Sequence, residues 1–146
     1  MDGNRTVVII AEDDPDDRLL IKDAIIQAST RQVDVHFVHD GAEMLDYLYR
    51  RGKYRGVADC PMPELVLLDL NMPKMNGMEV LAEIKNDPAL KSIPVVVLTT
   101  SQSPEYVQRS YELGGSGFVT KPGSFSELVE VMKGIERYWF KTVKLP

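Results

Sequence analysis

The chain has 146 residues, 44% of them apolar and 27% charged, with a formal net charge of −5 at pH 7. That balance suits one ordinary domain with a real core, and it argues against the basic face that neutralising nucleic-acid phosphates requires, although a local basic patch is compatible with it. No apolar stretch approaches the ~18 residues of a membrane span, no secretory signal precedes the first apolar run, and the single cysteine, Cys60 beside Pro61, closes no internal disulfide, so a cytoplasmic protein is expected.

The first expected strand, residues 7–11, stops at Glu12-Asp13-Asp14. Asp14 caps a helix there, Pro15 suits its first turn, and Asp16 and Asp17 favour the positive end of its dipole. This helix runs to about Ser29 with Leu20, Ile21, Ala24, Ile25 and Ala28 on its buried side. Residues 33–38 mix polar and apolar positions, as an edge strand with one wetter face does. Asp40-Gly41-Ala42-Glu43 has the form of a capping box and opens a second helix through Leu48 or Tyr49. Residues 50–63 are the longest stretch without periodicity and carry Arg50, Arg51, Lys53 and Arg55, before the chain rejoins the sheet at Glu64.

A third strand over 65–68 stops at Asp69, and turn formers over 71–77 lead into a helix over 78–86. The fourth strand, 95–98, stops at Thr99-Thr100-Ser101, and the helix after it starts at Ser103-Pro104 and ends near Gly114-Gly115. A short strand over 117–120 stops at Lys121-Pro122. Ser124-Phe125-Ser126-Glu127 is a further capping box, and the last helix places Leu128, Met132, Ile135 and Trp139 at helical spacing out to about Phe140. Strand and helix alternate throughout, which predicts βα units around a parallel sheet. There is no internal repeat and no linker, so residues 1–146 read as one module.

Ligands in such sheets sit beyond the carboxyl ends of the strands. Neighbouring strands ending in Glu12-Asp13, Asp69, Thr99 and Lys121 would bring carboxylates, a hydroxyl and an ammonium to one crevice. That set suits Mg²⁺, which prefers oxygen ligands and keeps several waters. Asp13 and Asp69 are expected to ligate directly, the backbone carbonyl of Asn71 to add a ligand, and Glu12 to hold a metal-bound water. Asp69, ending the central apolar strand, is the expected nucleophile of an aspartyl-phosphate chemistry, with Lys121 and Thr99 meeting phosphoryl oxygens. Singly, each has a plainer reading: a turn aspartate, a capping threonine, a surface lysine. The right residue type after four strands at once is what carries the functional one.

The segments Val-Ile-Ile-Ala-Glu-Asp-Asp-Pro, Leu-Val-Leu-Leu-Asp-Leu-Asn-Met-Pro-Lys-Met-Asn-Gly, Val-Val-Leu-Thr-Thr-Ser and Gly-Phe-Val-Thr-Lys-Pro resemble the receiver domain of two-component response regulators. The resemblance covers nearly the whole chain. It implies a flavodoxin-like, doubly wound (βα)5 fold of five parallel strands in the order 2-1-3-4-5, with a core over about 5–137 and an extended C-terminal helix and tail over 138–146. It makes Asp69 the phosphoacceptor, puts Glu12 and Asp13 in the metal pocket, and matches Thr99 to the switch hydroxyl and Phe118 to the switch aromatic. By analogy the Lys121–Pro122 peptide is cis. The acidic pair is Glu-Asp where many receivers carry Asp-Asp, and Phe118 lacks a tyrosine hydroxyl, so its switching rests on packing. The long 50–63 loop, the chain length and the aromatic tail look like the small response regulators paired with cyanobacterial phytochrome kinases.

The resemblance thus implies a signalling module, not an enzyme acting on outside substrates. It takes a phosphoryl group from a sensor histidine kinase, with Mg²⁺, and changes the face formed by the fourth helix, fifth strand and fifth helix. Asn71 and Ser101 are placed to tune the phosphate lifetime. No DNA-binding or enzymatic output segment is expected, so the signal leaves through protein contact. A homodimer is expected through Val107, Tyr111, Phe118, Tyr138, Trp139 and Phe140. A haloacid-dehalogenase-like hydrolase is the rival from another class, but the position two after Asp69 is Asn71, which cannot act as its general acid. A nucleotide switch lacks its Gly-x-x-x-x-Gly-Lys-Ser/Thr loop, and an interaction module independent of phosphorylation leaves the intact pocket unexplained. His36 and His39, the only histidines, fall in no ligand or base pattern.

Overall fold

The structure, a computed structural model, describes residues 6–29, 32–56, 61–69, 77–99 and 104–137, the side chains of Thr99 and Tyr106 excepted. In chain order the elements are β1 (Thr6–Ala11), α1 (Pro15–Ala28), β2 (Val33–Val38), α2 (Gly41–Tyr49), a 3₁₀ turn (Gly52–Tyr54), β3 (Leu65–Leu68), α3 (Gly77–Asn86), β4 (Val95–Thr99), α4 (Pro104–Glu112), β5 (Gly117–Thr120) and α5 (Phe125–Glu136). The five strands are parallel and ordered β2-β1-β3-β4-β5. The flavodoxin-like fold and the strand order therefore stand as expected, with β2 at an edge.

Strand alternation divides the core into two layers, because successive side chains point to opposite faces of a sheet. Val7, Ile9, Ala11, Val66, Leu68, Val95 and Val97 face α2 and α3, where Met44, Leu45, Leu48, Val80, Leu81 and Ile84 meet them. Val8, Ile10, Leu65, Leu67, Val96 and Leu98 face α1 and α5, against Ile21, Ala24, Ile25, Leu128, Val129, Met132 and Ile135. Helices on both faces explain why the inner strands read as unbroken apolar runs.

Helix starts follow their capping residues. Asp14 Oδ1 accepts from the Asp16 and Asp17 N–H groups, and Pro15 occupies the first turn of α1. Ser124 Oγ accepts from the Glu127 N–H to open α5. One detail of α1 differs from expectation. Its buried stripe is Ile21, Ala24, Ile25 and Ala28, whereas Leu20 is 46% exposed, since it lies about a hundred degrees round the helix from Ile21. At the end of α4, Gly114 takes φ +100° and a Cβ there would stand 2.9 Å from Lys85 Cγ, so glycine is needed to stop the helix.

The basic stretch after α2 is tied down by its own charges. Arg50 closes the helix in the left-handed region at φ 55°, Arg51 pairs with Asp46 at 2.8 Å and stacks over Tyr49, and Lys53 pairs with Glu43 at 2.7 Å. Glu43 also accepts from the Tyr54 hydroxyl at 2.5 Å and the His39 N–H at 2.7 Å, while its own N–H is capped by Asp40. The reciprocal arm of the capping box therefore reaches His39, one residue earlier than the simple motif. Burial alone would raise the Glu43 carboxyl, but the hydrogen bonds from Lys53, Tyr54 and His39 and the Lys53 charge outweigh it and hold the group at about 2. An acid with a depressed folded pKa adds stability that is complete above its unfolded value and is lost as the pH falls through the folded one. Glu43→Gln is accordingly expected to cost about 2 kcal/mol at pH 7, discounted for the solvent around Lys53. Urea unfolding of both proteins should show this gap closing between the ordinary carboxylate value of 4.5 and about 2.

Candidate functional site

The strand order reverses between β1 and β3: the chain leaves β1 for the β2 edge, then returns to β3 on the other side. Crevices for ligands form at the carboxyl ends of strands where the order reverses in this way. Glu12 and Asp13 follow β1 directly, and Asp69 follows β3. The sheet ladder extends into them, since the Glu12 N–H donates to Val38 O at 3.1 Å and the Asp69 N–H to Ala11 O at 3.2 Å.

Carboxylate oxygens of Glu12, Asp13 and Asp69 all lie within 4.8 Å of one another. Glu12 and Asp69 are buried, at 2% and 7% exposure, while Asp13 faces solvent. From the end of β5, Lys121 reaches across to them. Its Nζ lies 2.6 Å from Glu12 Oε1 and 3.0 Å from Asp69 Oδ2. Burial raises the Glu12 carboxyl above the usual carboxylate range, with the Asp69 charge adding to it and Lys121 opposing it. Burial would lower the Lys121 ammonium, but its bonds to Glu12 and Asp69 and their charges outweigh this and raise it, so the lysine stays protonated. Crowded carboxylates around one ammonium form an all-oxygen donor set that suits a hard divalent cation.

Two further side chains complete the crevice, and neither was among the sequence candidates. Asp17, in the first turn of α1, stands 3.5 Å from Lys121 Nζ. Its partner is 104 residues away, so no local spacing marked it. Arg18 Nε donates to the Glu12 backbone oxygen at 2.6 Å, and its guanidinium lies 5.9 Å from the Phe37 ring centroid. Glu12 is thus held at its carbonyl by Arg18, at its amide by β2 and at its carboxylate by Lys121 and the Asp14 N–H.

The backbone of Thr99 ends β4 in register with Thr120, on the same side of the sheet as the acids. Phe118 lies opposite Val97 in β5, partly buried against the layer of α2 and α3. Val107 is half-buried and Tyr111 is 51% exposed on α4. Asn71, Ser101, Tyr138, Trp139 and Phe140 lie outside the described residues, as does Cys60. The Lys121–Pro122 peptide is trans, contrary to the analogy. The trans isomer is the favoured one for X–Pro by about 0.5–1 kcal/mol, and Lys121 makes its carboxylate contacts from it. His36 packs on Tyr47 and His39 bonds to Glu43, so both histidines are accounted for away from the crevice. Among the described residues no helix is long and apolar enough to cross a membrane.

A doubly wound flavodoxin-like sheet with three acids and a lysine at its switch point is the frame of a phosphoryl-receiving signalling domain. The chain belongs to the response regulator receiver domain family, whose match spans residues 8–133. It is 41% identical to response regulator Rcp1 of Synechocystis sp. over 140 residues, covering 96% of this chain and 92% of that protein. Among solved structures, it resembles the phosphorylated cyanobacterial phytochrome response regulator RcpA at 44% identity with a TM-score of 0.89, over 97% of this chain and 99% of that one. The Mn²⁺-bound form of Rcp1 follows at 41% identity and a TM-score of 0.86, with the same coverage. The chain is therefore a receiver domain of the two-component kind, similar to a cyanobacterial phytochrome response regulator.

Proposed function

We propose that Asp69 of this chain takes a phosphoryl group from a phosphohistidine of a phytochrome-type sensor histidine kinase in the cytoplasm. The observation that carries this reading is the Lys121 ammonium 3.0 Å from Asp69 in a crevice where carboxylate oxygens of Glu12, Asp13 and Asp69 all lie within 4.8 Å of one another. Asp13 and Asp69 would hold Mg²⁺ directly and Glu12 through water, with the backbone carbonyl of Asn71 as a further ligand. When bound, Mg²⁺ neutralises the carboxylates and screens the phosphoryl oxygens. An Asp69 oxygen attacks phosphorus, the P–N bond breaks, and the imidazole leaves with the electron pair. Lys121 pairs with one phosphoryl oxygen as a point charge and the Thr99 hydroxyl donates to another. The chain acts on no outside substrate; it promotes only its own phosphorylation and the slow hydrolysis that resets it.

Thr99 drawn toward the phosphoryl group leaves space that Phe118 fills, which shifts the α4–β5–α5 face. The partly buried setting of Phe118 supports this, because a side chain already seated in the core wall repacks without first being desolvated. Tyr111 on α4 supports a homodimer on that face, together with Val107, Phe118, Tyr138, Trp139 and Phe140. The kinase meets a different surface: Leu19, Leu20 and Ile26 are exposed large apolar residues of α1, Leu20 bordering the same groove as Asp17 and Lys121 and Ile26 farther along the helix.

The test is incubation with acetyl phosphate and Mg²⁺ followed by intact mass and peptide mapping. One added phosphoryl group on the peptide holding Asp69, lost when the metal is chelated, is the expected result. No added mass, or a phosphoryl group on another residue, overturns the reading.

A further inference from the structure

Lys121 is shared by three carboxylates, and the third is unlike the others. Its Nζ lies 2.6 Å from Glu12, 3.0 Å from Asp69 and 3.5 Å from Asp17. Glu12 and Asp69 are buried, but the Asp17 side chain is 42% exposed. Asp17 is also fixed by the α1 cap, where its N–H donates to Asp14 at 3.3 Å. It borders a groove between α1 and α5 walled by Leu20, Phe125 and Leu128, with Lys121 at its polar end. Asp17 is therefore the solvent-facing member of the three carboxylates that share Lys121.

The charges of the crevice give Asp17 a consequence. Arg18 is turned away toward the Glu12 backbone oxygen and the Phe37 ring of β2. Of the groups clustered about Lys121, Glu12, Asp13 and Asp69 are balanced by Lys121 and one divalent cation, so Asp17 adds a negative charge on the solvent side. Resting on the phosphoacceptor reading of Asp69, we propose that Asp17 is a specificity-determining residue that selects phosphoryl donors by charge. It disfavours multiply anionic small donors, such as acyl phosphates, relative to P–N donors that bring less negative charge. In both cases an Asp69 oxygen forms the new bond to phosphorus. With acetyl phosphate the P–O bond breaks and acetate leaves with the electron pair. With phosphoramidate the P–N bond breaks and the already protonated nitrogen leaves as ammonia. Neither transfer needs an oxidant or a further reactant.

Acetyl phosphate arrives as a dianion and phosphoramidate as a zwitterion with one net negative charge, so the two separate the effect of charge from that of size. At saturating Mg²⁺ and low salt, Asp17→Asn is expected to speed labelling by acetyl phosphate about fivefold and by phosphoramidate about twofold, and added salt should shrink both gains. Asp16→Asn is the control: Asp16 is an exposed acid of the same turn, with no contact to Lys121 among the described residues, and should leave both rates near wild type. A second readout needs no donor. Mn²⁺ binding to the full chain should weaken about fivefold in Asp17→Asn and not in Asp16→Asn. Equal acceleration with the two donors, none at all, an equal effect of Asp16→Asn, or unaltered Mn²⁺ affinity in Asp17→Asn overturns the proposal. A wild-type chain that takes up phosphoryl from neither donor overturns the Asp69 reading, and this one with it. Normal labelling with an unchanged donor ratio overturns this one alone.

Discussion

Asp69→Asn is expected to remove phosphoryl uptake entirely while the fold persists. The amide fills the same volume at the end of β3, and its backbone bond to Ala11 is untouched. It lacks the anionic oxygen that attacks phosphorus, so no acyl phosphate forms from any donor. Divalent-cation affinity should fall by about tenfold or more, because one of three clustered carboxylates becomes neutral. The contrast with Asp13→Asn makes the assignment specific. That exposed acid is a ligand in our reading and not the acceptor, so its variant should keep slow labelling at high metal concentration. Intact mass on both variants checks this, and a labelled Asp69→Asn would refute the acceptor assignment.

Lys121→Met should be costly to the unliganded protein. It leaves Glu12 and Asp69 buried beside each other without their shared cation. Removing one partner of a buried pair typically costs about 3–5 kcal/mol, because an uncompensated charge stays behind. The solvent-facing Asp13 and Asp17 nearby let some of that field relax, so a loss of about 3 kcal/mol at pH 7.5 is expected by urea unfolding. The sign with pH follows from Glu12, whose carboxyl is already raised by burial. Without Lys121 it rises further, so the folded variant binds a proton before the unfolded chain does and regains stability as the pH falls. Divalent cation should restore part of the loss at neutral pH. A variant as stable as wild type at pH 7.5 without metal would show that the crevice opens to water and that the pairing contributes little.

The strand-end residues were readable because each is forced by chemistry at a place the apolar pattern marks. Apolar runs buried on both faces end where polar groups first become tolerable, so Glu12, Asp69 and Lys121 stand out against them. The helix starts were readable for a similar reason, since Asp14, Asp40 and Ser124 satisfy amides that nothing else can reach. What escaped depends on rotation and on long-range partners. Leu20 differs from its buried neighbour Ile21 only by the turn of the helix, which a fourteen-residue pattern of mixed polarity defines weakly. Arg50 takes a left-handed conformation usually marked by glycine, from which its N–H caps the Asp46 and Tyr47 carbonyls at the end of α2. The cis expectation at Lys121–Pro122 came from analogy, and the structure reaches the same carboxylates without it. Asp17 looked like a dipole acid because its second partner is 104 residues away.

The amides of Glu12 and Asp69 complete the ladders of neighbouring strands, and this ties the chemistry to the most protected part of the chain. Exchange of the Glu12 proton requires β1 to part from the edge strand β2, and exchange of the Asp69 proton requires β3 to part from β1 inside the sheet, so both are expected to exchange more slowly than surface-loop amides. The backbone that carries these acids is thus held by the sheet itself and not by a loop.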